Sequence, residues 1–208
     1  MKWLVREIAL SEAYRVSAPA DEGPWWDKDP ENRFFARAPR RRLEAESMRD
    51  ALLFVSGRLD PAAGGPTIRP AAANDYNYEQ TSKMRSIYLP ALRNSPDEML
   101  SVFNMADTSR TTGRRDLGTV APQALFLMNH PFVAEESREA ARRLLAECDS
   151  DEKRLETATL RVLGRRPLEG ERAIAGSLLA ESSGENREEA WATILHGLFA
   201  SLDFRYLE

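Results

Sequence analysis

The sequence predicts a mainly α-helical domain with long ordered loops in its first half and little sheet. Apolar residues recur at helical spacing along most of the chain, and residues that commonly begin and end helices flank these segments. Alternation of apolar and polar residues, which is typical of a half-buried strand, is confined to one short stretch. A chain of 208 residues has the length of one domain, so we predict a single domain over 1–208 with a helical subregion over about 119–208.

The first half of the chain combines helices with loops that contain proline and polar residues. We predict helices over 2–15 and 40–59 and loops over 16–38 and 60–83. Residues 84–89 alternate and predict one short strand, which Pro90 ends. Ser95 is followed by Pro96 and, three residues after the serine, by Glu98, which predicts a further helix with Ser95 as its N-cap.

The second half is predicted to be almost continuously helical. Thr119 is the predicted N-cap of a helix that continues to about Met128, with Pro122 in its first turn. Further helices are predicted over 133–147, 151–163, 168–181 and 186–202. The last of these has the clearest apolar stripe, formed by Trp191, Ile194, Leu195, Leu198, Phe199 and Leu202.

The charge balance argues against some classes of partner. The chain has 29 basic and 33 acidic residues and a net charge of -4, so it lacks the general positive charge that attracts nucleic acid or anionic membranes. No apolar run approaches the roughly 18 residues of a membrane span, and the segment 1–11 is too short and too charged for a signal peptide. We therefore expect no nucleic acid as a partner and no membrane span.

Cysteine and histidine are too scarce for the common metal and cofactor sites. Cys148 is the single cysteine, and the two histidines, His130 and His196, do not lie at metal-ligand spacing. The glycine patterns of dinucleotide-binding and nucleoside-triphosphate-binding loops are also absent from the sequence. We expect no cofactor, no metal site and no thiol chemistry at Cys148.

The most informative segment is residues 107–119, here called the arginine loop. Arg110, Arg114 and Arg115 cluster in it with threonine hydroxyls and two glycines, directly before the helix that begins near Thr119. Guanidinium groups bind phosphate, sulfate or carboxylate oxygens through paired hydrogen bonds, and a helix N-terminus attracts anions. The pattern predicts an anion-binding site formed by Asp107, Arg110, Thr112, Gly113, Arg114 and Arg115.

Two alternatives stay open for this segment. The arginines could instead form ion pairs with Asp107, Asp116, Glu98 or carboxylates on helices, and so hold the loop in place. A pair of carboxylates drawn from Asp50, Asp107 and Asp116 would form an acid–base dyad if burial separated their pKa values. A deep cleft with two carboxylates facing the arginine loop would favour an enzyme, whereas a shallow basic surface would favour a binding module.

A series of segments, in order over nearly the whole chain, resembles the planctomycete domain of unknown function fifteen-fifty-three. The segments are IALSEAYR at 8–15, DPENR at 29–33, PRRRLEAESMRDAL at 39–52, VSGRL at 55–59, GGP at 64–66, RSIYLP at 85–90, FNMAD at 103–107, TGRR at 112–115, PQALFLMN at 122–129, LGRRP at 163–167 and ASLDFRY at 200–206. The resemblance implies the C-terminal part of a larger family domain, because that domain begins well before the segment that residues 1–15 match.

The resemblance also implies an exported or cell-surface setting, since the longer relatives often carry a cytochrome-c-like domain. It implies no catalytic residues, because the family's activity is not established. The leading hypothesis is a non-catalytic binding or scaffolding module that recognises an anionic group, with an acidic or sulfated glycan or a cytochrome-c-like domain as its partner. The alternatives are an enzyme that acts on polysaccharide and a redox partner of the cytochrome-like domain.

Overall fold

The computed structural model describes residues 1–16, 24–62, 64–65, 68, 76, 78–115, 118–182, 184 and 186–207. The chain divides into two compact units, one made of residues 1–43 with 205–208 and the other of residues 44–204. The prediction of one domain over the whole chain stays a prediction.

The smaller unit contains two helices and a two-stranded ribbon among its described residues. Helix α1 spans Lys2–Leu10, a 3-10 turn follows at Ala13–Arg15, and helix α2 spans Pro24–Lys28. Strand β1, Arg41–Arg42, pairs antiparallel with strand β2, Tyr206–Leu207, so that Arg41 lies opposite Leu207. This ribbon is the sheet of the described residues, which confirms the prediction of little sheet.

Helix α1 is shorter than the helix predicted over 2–15. It ends at Leu10, where the Ser11 hydroxyl donates to the carbonyl oxygen of Ile8 at 2.7 Å. A serine that bonds a nearby carbonyl offers the backbone an alternative to the next helical turn. No residue of α1 is buried, and Trp3 and Ile8 are both exposed.

The larger unit is a set of packed helices. Helix α3 spans Ala45–Ser56, α4 Glu98–Val102, α5 Ala121–Asn129, α6 Pro131–Glu147, α7 Asp151–Leu163, α8 Glu169–Ala180 and α9 Asn186–Ala200, with a 3-10 turn at Ser86–Tyr88. Helix α6 packs along α9 and also against α3. The mainly α fold class is therefore confirmed. Within the part of the chain that the structure describes, no helix has the length and apolar content that crossing a membrane requires.

The hydrophobic core lies along α6, which packs against α3 and against α9. Its buried members include Met48, Leu52 and Leu53 from α3, Val133, Ala141 and Leu144 from α6, and Trp191, Leu195 and Phe199 from α9. Burying one large apolar side chain contributes about 1.5–3 kcal/mol, so these contacts are the main source of stability. The apolar stripe predicted for the last helix is confirmed as far as Phe199, whereas Leu202 lies beyond the helix and is exposed.

A buried carboxylate links α6 to α3 and to the loop over residues 78–83. The Glu136 side chain has an exposed fraction of 0% and accepts a hydrogen bond from the Ser56 hydroxyl at 2.6 Å. The Lys83 ammonium lies 3.1 Å from Glu136 and the Arg58 guanidinium 3.4 Å. Because an unpaired carboxylate in the core would be costly, these three partners hold the two helices and the loop in one arrangement.

The predicted N-cap of α4 is wrong by two residues. Asp97, not Ser95, occupies the cap position, and its Oδ1 accepts from the backbone N–H of Leu100 at 2.9 Å. The Ser95 hydroxyl instead accepts from the backbone N–H of Tyr78 at 3.0 Å. Aspartate and serine are equally good caps in sequence, so the sequence alone does not distinguish them.

The strand predicted over 84–89 and the Thr119 cap are also wrong. Both the backbone N–H and the hydroxyl of Ser86 donate to Asp50 Oδ1 at 2.7 Å, which bends the chain into the 3-10 turn at Ser86–Tyr88. Helix α5 begins one residue later than predicted, with Val120 as N-cap, and the Val120 N–H donates to Gln123 Oε1 at 3.4 Å.

Helix α3 ends at Gly57, which adopts a left-handed conformation with φ of 80°. The backbone N–H groups of Gly57 and Arg58 bond to carbonyl oxygens of the last turn. Arg143 of α6 approaches the same place and donates to the carbonyl oxygens of Phe54 at 3.1 Å and Val55 at 3.4 Å. A Cβ at position 57 would lie 3.1 Å from Arg143 Cδ, so glycine permits both the turn and the approach of the arginine.

Replacing Gly57→Ala is expected to lower the free energy of unfolding by about 1–2 kcal/mol from the left-handed backbone alone, and by more because the methyl group displaces Arg143. Gly164→Ala is the matched control, since Gly164 also ends a helix with φ of 71° but has open space around it. Urea unfolding of the two variants compares them. Equal losses would show that the Arg143 contact contributes nothing.

Candidate functional site

The arginine loop is fastened at both ends. Just before its start, the Met105 N–H donates to the Leu100 carbonyl oxygen at 2.8 Å. At its end, the Gly118 carbonyl oxygen accepts from Gln123 Nε2 at 3.3 Å. Gln123 is fully buried in the first turn of α5 and also donates to the Val102 carbonyl oxygen at 3.0 Å. One amide side chain therefore joins the end of α4, the end of the loop and the start of α5.

Arg115 anchors the middle of the loop to α3. Its two terminal nitrogens donate to the two carboxylate oxygens of Glu46 at 2.6 and 2.8 Å, and Glu44 lies 3.5 Å away. The side chains of Arg115 and Glu46 are 31% and 24% exposed. A paired, partly buried contact of this kind is among the stronger ion pairs in proteins. The ion-pairing alternative for Arg115 is therefore what the structure contains.

The pair also changes how Glu46 titrates. Burial alone would raise the pKa of Glu46, but the hydrogen bonds and the charge of Arg115 outweigh burial, and its pKa lies below the ordinary value of 4.5. In return, the hydrogen bonds that Arg115 donates to Glu46 raise the pKa of Arg115. Both groups are charged at neutral pH, so Glu46 is an ionised partner of the loop and not a proton donor.

The other residues of the predicted site lie at the surface. Arg110 is 83% exposed and lies 3.2 Å from Asp107, a contact that solvent weakens. Arg114 is exposed and makes no hydrogen bond or ion pair with any residue that the structure describes. Thr112 and Gly113 are exposed as well, with open space beside Gly113. Arg115 is thus paired with a carboxylate of α3, whereas Arg110 and Arg114 are exposed to solvent. The six-residue anion site stays a prediction.

A cleft of about 450 Å³, here called the α3 cleft, lies beside the Arg115–Glu46 pair. Its charged lining residues are Glu44, Glu46, Asp50, Arg85 and Arg115. Four of the segments that carry the family resemblance meet there, namely 39–52, 85–90, 103–107 and 112–115. Sequence reasoning did not assign Arg85 or Glu46 to a site.

One signal in the sequence did point toward this cleft. Glu46 and Asp50 lie four residues apart on α3, so two like charges share a face of the helix. The repulsion between two such carboxylates is relieved when cations from other parts of the chain lie beside them. The structure provides Arg115 for Glu46 and Arg85, with Nε 3.8 Å from the carboxylate, for Asp50. The spacing of Glu46 and Asp50 did not identify which arginines would pair with them.

Among the carboxylates of the cleft, Glu46 lacks the raised pKa that the acid of an acid–base dyad needs, and a dyad drawn from Asp50, Asp107 and Asp116 stays a hypothesis. Such a dyad needs one carboxyl group whose pKa is raised so that it can donate a proton. The pKa of Glu46 is instead lowered, and Asp50 Oδ1 accepts two hydrogen bonds from Ser86. Asp107 lies in the exposed loop, and Asp116 falls outside the described residues.

The histidine and cysteine positions have local explanations. His130 is the N-cap of α6: its Nδ1 accepts from the Phe132 N–H at 3.2 Å, and its ring stacks on Phe126 at 4.1 Å. Cys148 is buried at the C-terminal end of α6, 3.6 Å from the Thr157 hydroxyl. Among the described residues, no group of three or more His, Cys, Asp or Glu side chains could hold a metal ion.

Replacing Arg115→Ala is expected to lower the free energy of unfolding at pH 7 by about 1–2 kcal/mol, because a partly buried carboxylate loses both of its hydrogen bonds. Arg114→Ala is the control. Arg114 is exposed and makes no hydrogen bond or ion pair with a described residue, so this variant should melt as the wild type does. Thermal melts of both variants test this. An unchanged melting temperature for Arg115→Ala would show that the pair does not anchor the loop.

The stability difference between wild type and Arg115→Ala should also depend on pH. The folded-state pKa of Glu46 is depressed, so the pair contributes its full stability above the ordinary carboxyl pKa of 4.5 and loses it as pH falls through the folded value. The two melting temperatures should therefore converge in acid. Parallel curves at all pH values would contradict the assignment of Glu46 as the titrating partner.

Comparison with known proteins identifies one related family. A family model described as PSD1, a protein of unknown function (DUF1553), matches residues 1–179 of the 208. The match does not say which part of the family domain the chain represents, so the C-terminal placement stays a prediction. No curated protein and no solved structure matches the chain.

Proposed function

The chain belongs to the PSD1 (DUF1553) family of proteins of unknown function, and from its geometry we propose that it is a non-catalytic binding module for an anionic polymer, such as a sulfated polysaccharide. The exposed guanidinium groups of Arg110 and Arg114 are the proposed contacts. Arg115 is the proposed anchor that holds the loop on α3. The single observation that carries this proposal is a difference in exposure within six residues: Arg115 is paired with Glu46, whereas the side chains of Arg110 and Arg114 are exposed.

The anchor supports the proposal because it reduces the cost of binding. A loop that is free to move loses conformational entropy when a ligand orders it. Here Gln123 fastens the end of the loop and Arg115 fastens it to α3, while the neighbouring Arg114 is exposed. The exposed arginines are therefore presented on a backbone that is already held.

The exposure of the contacts favours a polymer over a small anion. An ion pair in contact with solvent contributes at most about 1 kcal/mol, so one sulfate at Arg110 or Arg114 would bind weakly. A chain that carries repeated anionic groups can engage both arginines at once, and linked contacts multiply the affinity. Sulfate suits the guanidinium fork because its oxygens accept paired hydrogen bonds.

The net charge of -4 makes the interaction local. The chain as a whole carries no excess of positive charge that would attract a polyanion, so binding should depend on the arginine loop and should weaken with salt. An exported or cell-surface setting, which the family resemblance implies, is part of this proposal, since anionic polysaccharides are common there. A cytochrome-c-like domain as partner is a further proposal from the same resemblance.

Isothermal calorimetry with a sulfated oligosaccharide tests the proposal. The variant Arg110→Ala/Arg114→Ala is expected to bind about tenfold or more weakly, because two contacts of up to about 1 kcal/mol each are lost. Arg166→Ala is the matched control: its guanidinium is 82% exposed, like that of Arg110, and lies 3.4 Å from a single carboxylate. The control should bind as the wild type does.

Salt and ligand charge give further checks on the same protein. Raising the ionic strength should weaken wild-type binding, and the desulfated oligosaccharide should not bind at the loop. Absence of binding by the wild type, or equal weakening in the Arg166→Ala control, would contradict the proposal and leave the arginine loop a purely structural element.

A further inference from the structure

A second cavity, here called the α4–α6 cavity, lies beside Arg49 of α3, between the start of α4 and the start of α6. Its volume of about 530 Å³ falls in the range of about 300–1,000 Å³ that is usual for small-molecule sites. The loop over 78–83 forms one wall, and the start of α4 forms another. Arg49 of α3, His130 and Phe132 complete the lining.

Arg49 is a buried cation at the cavity surface. Its side chain is 5% exposed, and its guanidinium donates to the carbonyl oxygens of Ser82 and Met84 and to the Ser86 hydroxyl. The carboxylate of Asp50 lies 3.9 Å away. Since the hydrogen-bond acceptors of Arg49 among the described residues are uncharged oxygens, the loop holds its guanidinium together with the nearby Asp50.

His130, which also lines the cavity, is held in place by its neighbours. Its Nδ1 accepts the N–H of Phe132, so the ring hydrogen is assigned to Nε2, which lies 3.3 Å from Glu98 Oε2. The stacked ring of Phe126 holds the imidazole plane. The cavity therefore presents polar groups whose directions are set before any ligand arrives, and such preorganisation lowers the cost of binding.

The cavity lining carries charges of both signs, with an excess of carboxylates. It has two cations, Arg49 and Lys83, and three carboxylates, Glu79, Asp97 and Glu98. Lys83 is already paired with the buried Glu136 at 3.1 Å. An anion would meet the three carboxylates and a cation would meet Arg49. The carboxylates can accept hydrogen bonds from hydroxyl groups, and side chains of both signs can bond an uncharged polyhydroxy ligand.

The lining also contains flat apolar surface. The rings of Tyr78 and Phe132 line the cavity together with Met99 and Pro96. The electron-rich face of an aromatic ring attracts the polarised C–H groups of a ligand. The hydroxyls of Thr81 and Ser82 lie in the same lining. A ring with hydroxyls at its edge and C–H groups on its face matches both surfaces.

We propose that the α4–α6 cavity binds an uncharged saccharide residue, with the charged and hydroxyl side chains bonding its hydroxyls and Phe132 packing against its ring. This site differs from the arginine loop in both position and ligand charge, and it does not depend on the loop binding an anion. A glycan that engages both sites would place an uncharged residue in the cavity and an anionic group at the loop.

Saturation-transfer NMR on the full chain tests the cavity, with the methyl glycosides of glucose, galactose, mannose and xylose as probes. At least one of them should receive saturation, strongest at ring C–H protons. Phe132→Ala should reduce that signal about fivefold, as expected for the loss of about 1 kcal/mol of ring contact. Phe54→Ala is the matched control, because it removes an exposed phenylalanine of α3 that does not line this cavity.

A second variant covers the case in which Phe132→Ala does not fold. Glu98 is 72% exposed and contacts His130, so Glu98→Ala should fold and should weaken the same glycoside by about threefold through the loss of an acceptor. Glu152→Ala, an exposed carboxylate at the start of α7, is its control. The proposal would be overturned if none of the four methyl glycosides received saturation. It would also be overturned if the saturation-transfer signal were unchanged in both Phe132→Ala and Glu98→Ala.

Further measurements distinguish binding at this cavity from binding at the arginine loop. Arg110→Ala/Arg114→Ala should leave the glycoside signal unchanged, and Phe132→Ala should leave sulfated oligosaccharide binding unchanged. Methyl glucuronide should bind no more tightly than methyl glucoside. Tighter binding of the glucuronide that Phe132→Ala abolishes would show that the cavity selects an anion, and it would overturn the assignment of an uncharged ligand.

Discussion

The buried carboxylate of Glu136 governs how the larger unit is arranged. A charged group with no exposure in the core is tolerated only while its partners stay in place. Those partners come from three parts of the chain: Ser56 at the end of α3, Arg58 just after it, and Lys83 in the loop over 78–83. Helix α3 is therefore held against α6 in one orientation, and the loop is held beside them.

That orientation places the charged residues of α3. Arg49 lines the α4–α6 cavity, and the next residue, Asp50, lines the α3 cleft with Glu46. Successive residues of a helix point in directions about 100° apart, so one stretch of α3 can serve both cavities. Asp50 links the two because its carboxylate lies 3.9 Å from Arg49 and 3.8 Å from Arg85.

The arginines of this protein have different roles because their surroundings differ. Arg115 and Arg143 are held by acceptors on α3 and act as internal ties. Arg110 and Arg114 lie in solvent, where an ion pair within the chain contributes little. Only the exposed groups are available to a partner, and their value to a partner depends on the ties that hold the loop beneath them.

Local patterns in the sequence determined the helices and much of their order. The 3.6-residue recurrence of apolar side chains reports which face of a helix is buried, and it correctly identified α9 with its buried Trp191 and Phe199. Helix ends were less well determined, because several residues near each end can cap equally well. At the start of α4, Asp97 is the cap, and the hydroxyl of Ser95 accepts from the N–H of Tyr78 instead.

Tertiary structure alone decided the partners of the charged residues. Arg115 meets Glu46 across 69 positions of sequence, and Ser86 meets Asp50 across 36, which turned a predicted strand into a 3-10 turn. The sequence by itself showed that arginines cluster at 107–119 and that like charges share a face of α3. Which guanidinium would be paired and which would be exposed depends on distances between remote segments, and the folded chain is what sets those distances.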